Sequence, residues 1–167
     1  MSTLYIDECK QKPYLLTATL VLQRENSVAR RALRQLLLPG QRSLDFKSEN
    51  SRRKRQILGV LIKLNFKLLV IKCDALPRHR TRNCAFESLL AYRNAYSISH
   101  LVIELDETVR VTDNQLLKQL QEPLLWDHRH RHEEPLLWVA DAAAWCVNRG
   151  GEWERMVRPL IIETVTC

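Results

Sequence analysis

Residues 4–10 read Leu4-Tyr5-Ile6-Asp7-Glu8-Cys9-Lys10. The run has the apolar weight of a short β-strand, yet two carboxylates lie inside it. Strand periodicity puts Leu4, Ile6 and Glu8 on one face and Tyr5, Asp7 and Cys9 on the other. A desolvated carboxylate without a partner is costly. Asp7 and Glu8 therefore require a partner, a metal or a proton, unless they cap the turn that follows the strand.

Working outward, residues 14–23 form a second strand rich in Leu, Thr and Val. The short polar link at 10–13 predicts an antiparallel hairpin. A helix is expected from Asn26 or Ser27 to about Leu38, stopped by Pro39-Gly40. Residues 43–47 read as a brief extended piece, and a second helix runs from Ser48 or Ser51 to about Leu64. A strand at 66–73 and a basic loop at 76–82 precede a helix at 83–96. Then come a strand at 100–105, a helix from Thr112 or Asp113 to near Pro123, and a strand at 124–132. Pro135 starts a helix that Gly150-Gly151 closes, and the chain ends in a short helix or extended tail. Strands alternating with helices after an initial hairpin predict one α/β domain over 1–167, with a mixed central sheet and helices on both faces. With four glycines and no GxGxxG or GxxxxGK[ST] loop, a Rossmann or P-loop nucleotide site is disfavoured.

The net charge is +7, and it is unevenly spread. Residues 24–82 carry 16 Lys or Arg against four Asp or Glu, whereas 83–167 carry eight against 13. The basic middle is either a solvated face or a surface for phosphates. No apolar run is long enough for a transmembrane helix, and the N-terminus lacks a signal-peptide pattern, so no membrane contact and a cytoplasmic location are expected. Five cysteines without a CxxC pair fit reduced thiols better than a disulfide framework or a zinc site.

Other acids share the peculiarity of Asp7. Along 100–105, Val102, Glu104 and Asp106 share a face, which puts two acids at or past a strand end, where α/β sheets bind ligands. A solvent-facing edge is the plainer reading. Asp141 sits in Trp138-Val139-Ala140-Asp141-Ala142-Ala143-Ala144-Trp145, with no cation three or four residues away. It is either a sheet-facing functional acid or a buried one held by a hydrogen bond or a distant Arg. Carboxylates that meet from separate elements repel unless a cation lies between them. Hard dications such as Mg²⁺ or Mn²⁺ take oxygen ligands, and a pair about 4 Å apart supports phosphodiester displacement. His128, His130 and His132 alternate as in a wet edge strand, with a zinc or nickel site as the other reading. Glu49 is a further ligand or a first-turn helix acid.

Three segments together resemble the ribonuclease H-like superfamily, and within it a branch of bacterial and phage proteins that open with a Tyr-Ile/Val-Asp-Glu-Ser strand. They are Tyr5-Ile6-Asp7-Glu8-Cys9, Ile103-Glu104-Leu105-Asp106 and Val139-Ala140-Asp141-Ala142-Ala143. Leu38-Pro39-Gly40 and Glu134-Pro135-Leu136-Leu137 are similar to segments in short members. The resemblance implies a mixed sheet and carboxylates that bind two Mg²⁺ or Mn²⁺ ions and cut phosphodiesters to 3′-hydroxyl and 5′-phosphate ends. It assigns Asp7 and Asp141 as metal ligands, with Glu104 or Asp106 between them. Cys9 replaces the usual Ser, and only Glu8 or Glu49 can stand in for the acid that bridges both metals. The expectation is a metal-dependent nuclease. Lys47, Arg52, Arg53, Arg55, Arg78, Arg80 and Arg82 would hold DNA or RNA. The alternative is a catalytically degenerate nucleic-acid-binding or interaction module.

Overall fold

The computed structural model describes residues 1–74 and 77–167, without the side chains of Arg78 and His79. Six strands form one sheet: β1 (Ser2–Cys9), β2 (Tyr14–Leu22), β3 (Lys67–Cys73), β4 (Ile98–Glu104), β5 (Leu125–Arg129) and β6 (Ile161–Thr166). Their order is β5-β4-β1-β2-β3-β6. The β1–β2 and β2–β3 pairs are antiparallel, while β1–β4, β4–β5 and β3–β6 are parallel. Thus β2 alone runs against the rest, and the other five strands all end at one edge. This mixed α/β sheet is compatible with a ribonuclease H-like arrangement.

Helices cover both faces. On one lie α1 (Asn26–Arg34), α2 (Ser51–Lys63), α5 (Leu136–Arg149) and α6 (Gly151–Val157), over a core that includes Tyr5, Leu15, Leu68 and Val102. On the other, Phe86 and Leu89 of α3 (Arg78–Leu90) and Leu117 of α4 (Arg110–Lys118) cover Ile6, Leu16, Ile71 and Ile103. The face of Tyr5 and the face of Ile6 are the two predicted from alternation along β1. Burying each Leu, Ile or Phe contributes about 1.5–3 kcal/mol, so the two clusters set the strand register firmly.

The central element of the first face is α5. Ten of its residues are buried, including Leu136, Leu137, Trp138 and Cys146. Pro135 precedes it, and Gly150, at φ 74°, ends it with a backbone that only glycine adopts cheaply. Burial pushes the pKa of the Cys146 thiol up to about 12, which disfavours the thiolate.

Several expectations are corrected. The first helix ends at Arg34, short of Pro39. Residues 43–47 form no strand; Phe46–Ser48 is a single 3₁₀ turn. Asn50, rather than Ser48 or Ser51, caps α2 by accepting a bond from the Arg53 amide at 2.9 Å. The basic stretch expected as a loop starts α3 at Arg78, and its first residue, 76, lies outside the described residues. The C-terminal tail becomes β6. Because β6 lies parallel to β3, with Lys72 opposite Thr166, both strands end together and Cys73 is bonded to Cys167. The two Cα atoms are 4.8 Å apart, 94 residues apart in the chain. The cysteines are therefore not all free thiols. No helix among the described residues is long and apolar enough to cross a membrane.

Candidate carboxylate centre

Parallel pairing of β1 and β4 sets Ile6 opposite Ile103. The next positions, Asp7 and Glu104, stand side by side on the α5 face at the shared C-terminal edge. Asp141 comes down onto the same point from α5. The helix is pinned there by the buried Thr17 of β2, whose hydroxyl donates to the Ala140 carbonyl at 2.8 Å and lies 3.3 Å from the Asp7 carbonyl. A second clamp is the loop before α2. The Phe46 amide donates to Asp141 Oδ2 at 3.1 Å. That loop is held by the buried Lys54, which donates to the carbonyls of Glu49 at 2.6 Å and Lys47 at 3.2 Å. The Lys54 ammonium also sits 4.4 Å from the centre of the Trp145 ring, a cation–π contact.

Between the acids lies Arg131. Its guanidinium is 3.0 Å from Glu104, 3.3 Å from Asp45, 3.5 Å from Asp141 and 3.7 Å from Asp7. Burial works against its charge, but Asp141, Glu104 and Asp7 outweigh that and hold its pKa above the ordinary arginine value. One cation against four carboxylates is an unbalanced centre. Asp7 shows the consequence: burial, a hydrogen bond shared with Glu104 and the charges of Glu104 and Asp141 hold its pKa well above the usual range. Burial likewise raises Asp141 to about 6, opposed by Arg131 and by the Phe46 amide. A cleft of about 420 Å³ opens beside the centre and is lined by Asp7, Glu104 and Arg131 on one side and Glu8, Lys10 and Arg82 on the other.

The remaining predicted site residues lie elsewhere. Glu8 faces the opposite side of the sheet, bound by the Tyr14 hydroxyl at 2.5 Å and by Arg82 at 2.5 Å. It therefore does not join Asp7 and Glu104, as alternation along β1 requires. Asp106 lies past the end of β4 in a turn, where the Lys10 ammonium at 2.5 Å and the Thr108 hydroxyl at 2.6 Å hold its pKa below the usual carboxylate range. Glu104 is thus the strand-end acid that meets Asp7. Glu49 accepts from Gln41 at 2.9 Å and lies 4.0 Å from Arg53, away from the centre. The three histidines separate: His128 contacts Asp113 at 3.2 Å under α4, while His130 and His132 stack on each other.

The cations expected to hold a polyanion divide in the same way. Arg82 is interior, donating to both oxygens of Asp113 at 2.7 and 2.8 Å. Arg53 turns inward to the Leu36 carbonyl. Arg55 contacts Glu152 at 3.4 Å and stacks on Trp153. The side chains of Lys47, Arg52 and Arg80 are exposed, and none has a partner among the described residues. The Arg78 side chain lies outside what is described.

The donors at the centre are all carboxylate oxygens, the set that hard dications prefer, and their surplus negative charge suits one. Arg131 occupies the space between them. Among the described residues, no three His, Cys, Asp or Glu groups stand in metal-holding geometry; the fit to a dication is in the chemistry of the donors.

Sequence reasoning missed Arg131, Asp45, Thr17 and Lys54. In a strand over 124–132, alternation would put Arg131 on the face opposite His128, His130 and His132. In fact β5 ends at Arg129, and Arg131 lies in the following turn. Its signal was positional: a strand parallel to β4 delivers the residues after its end to the same edge. No family model matches the chain, and no curated protein matches it.

Proposed function

We propose that this protein is a divalent-metal-dependent nuclease that hydrolyses phosphodiesters of DNA or RNA at the Asp7–Glu104–Asp141 centre. The observation that supports this reading is the convergence of three carboxylates from β1, β4 and α5 with more negative charge than Arg131 balances. Asp7, Glu104 and Asp141 would hold Mg²⁺ or Mn²⁺. When bound, such an ion lowers the pKa of water and offsets charge developing on phosphorus-bound oxygens. The chain's own part is positional. Thr17 and the Phe46 amide fix Asp141, and the Glu8 amide, donating to Asp7 Oδ1 at 2.7 Å, fixes Asp7. Lys47, Arg52 and Arg80 would neutralise backbone phosphates, which makes binding weaken with salt.

The test is thermal stability with and without millimolar Mn²⁺, on wild type and Asp141→Asn, followed by cleavage assays on single- and double-stranded DNA and RNA. A ligand that binds only the folded state raises the midpoint. A Mn²⁺-dependent rise and metal-dependent cleavage, both lost in Asp141→Asn, are expected. Wild type that neither shifts nor cleaves would sink the nuclease reading.

A second reading follows from Arg131 itself. A guanidinium that contacts all four acids is a permanent substitute for metal in a binding module without catalysis. In that case Asp141→Asn leaves nucleic-acid affinity unchanged, and the combined Lys47→Gln, Arg52→Gln and Arg80→Gln variant loses it together with its salt dependence.

A further inference from the structure

We infer that Arg131 is a displaceable occupant of the carboxylate centre, a counter-ion that a divalent cation must expel before it binds. The inference rests on the metal-dependent reading above and assigns a role to a residue outside its ligand set. Geometry carries it. Mg²⁺ holds its oxygen ligands at about 2.0–2.1 Å, so an ion shared by Asp7, Glu104 and Asp141 would need the space between them. The Arg131 guanidinium already lies there, with nitrogens 3.0–3.7 Å from all three. Both cations cannot occupy it.

The side chain is built to leave alone. The Arg131 carbonyl accepts a 2.8 Å bond from the Trp138 indole of α5, and the neighbouring His130 amide donates to Glu133 at 2.9 Å. The backbone is therefore tethered to the same helix that carries Asp141. The side chain is 24% exposed and borders the open cleft, so a change of rotamer toward the cleft would not require the turn to move. Its bonds are also divided. Glu104 is gripped by two nitrogens, Nε at 3.1 Å and Nη2 at 3.2 Å; Asp141 also faces two, Nη1 and Nη2, but each at 3.5 Å, and the contacts to Asp7 and Asp45 are likewise longer than ordinary charged hydrogen bonds. A dication brings twice the charge to the same oxygens.

The consequence is that metal affinity is set by Arg131 as much as by the acids. Mn²⁺ uptake, measured by titration calorimetry on the full chain, separates displacement from a general field effect when Arg131→Gln is compared with Lys10→Gln. Lys10 borders the same cleft, and among the described residues its ammonium pairs with Glu8 and Asp106 rather than with the acids of the centre. Displacement predicts that Arg131→Gln binds Mn²⁺ about tenfold more tightly or better, and Lys10→Gln within about twofold of wild type. Should Arg131→Gln fail to fold, Arg131→Lys keeps the charge and loses the planar fork, and it too should bind more tightly than wild type. Wild-type or weaker affinity in the folded Arg131 variant would overturn the inference. Equal tightening by Lys10→Gln would overturn it as well, because the effect would then be the field of the cleft. If wild type takes up Mn²⁺ and the Arg131 variant is no tighter, displacement alone fails. If neither they nor Lys10→Gln takes up Mn²⁺, the metal reading fails first.

Discussion

Two arginines anchor carboxylates at the same sheet edge, on opposite faces, and their surroundings differ. Arg82 meets Asp113 through a fork of two bonds at 2.7 and 2.8 Å, with Glu8, Tyr14 and His128 completing the network. Burial opposes its charge, but the Asp113 bond and the Glu8 charge outweigh that and hold its pKa above the ordinary value. Arg131 is spread over four acids, with its shortest contact at 3.0 Å. Two of its acids, Asp7 and Asp141, have pKa values held above the usual carboxylate range by burial and by the neighbouring charges. A compact network closed by a bidentate pair is what structural ion pairs look like. One cation spread thinly over several acids is what functional acids look like.

The largest test of that contrast is stability. Arg82→Met leaves Asp113, 3% exposed, without its main partner, and removing one side of a buried pair costs about 3–5 kcal/mol. Arg131→Gln should cost less than half of that, because its contacts are spread over four acids at 3.0 Å or more and the centre borders a cleft. Urea denaturation of both variants at pH 7 measures this, and equal losses would break the comparison. Next in size, Cys167→Ser should lower stability by about 2–4 kcal/mol through loss of the bond to Cys73, while leaving Mn²⁺ affinity unchanged. This separates global stability from the state of the centre.

Asp141→Asn should act in the opposite direction. The Asp141 pKa is raised from 3.8 to about 6, so the folded state binds this proton more tightly than the unfolded one. That contribution is fully present below pH 4 and is lost as pH rises through about 6. Replacing the carboxylate should raise stability at pH 7 by about 1–3 kcal/mol and flatten the fall between pH 4 and 6. Denaturation across that range reads it, and a variant less stable than wild type at pH 7 would show that Asp141 is a net stabilising partner of Arg131. The smallest effect belongs to Glu8→Gln, which should leave Mn²⁺ uptake within about twofold of wild type. Glu104→Gln should abolish uptake, and a comparable loss in both would erase the distinction between the two faces.

Much of this contrast was legible along the chain. Alternation in residues 4–9 already separated Asp7 from Glu8, because successive strand residues point to opposite faces. The same rule joined Glu104 to Asp7 once their strands are parallel and in register. Asp141, surrounded by Leu137, Trp138, Ala144 and Trp145, reads as an acid turned away from solvent. Other features were not legible. The helix around Asp141 carries no cation within a turn, and sequence leaves a distant Arg unidentified; it is Arg131, which arrives from the turn after β5. Of the basic residues, sequence shows their density but not which way they turn, and Arg82 and Arg53 turn inward.

The sequence by itself determined the local terms: hydrophobic period, the face of each strand residue, the helix stop at Gly150, and the presence of acids where hydrocarbon is cheaper. Each depends on neighbours within a few residues. Only the tertiary structure decided what those acids meet. Strand order and direction bring Asp7, Glu104, Arg131 and Asp141 to one point. The same parallel alignment, acting between β3 and β6 along the same edge, joins Cys73 to Cys167. Charge balance, proton binding and access to the cleft are properties of that convergence, and they arise from distances across the fold that no short window of sequence contains.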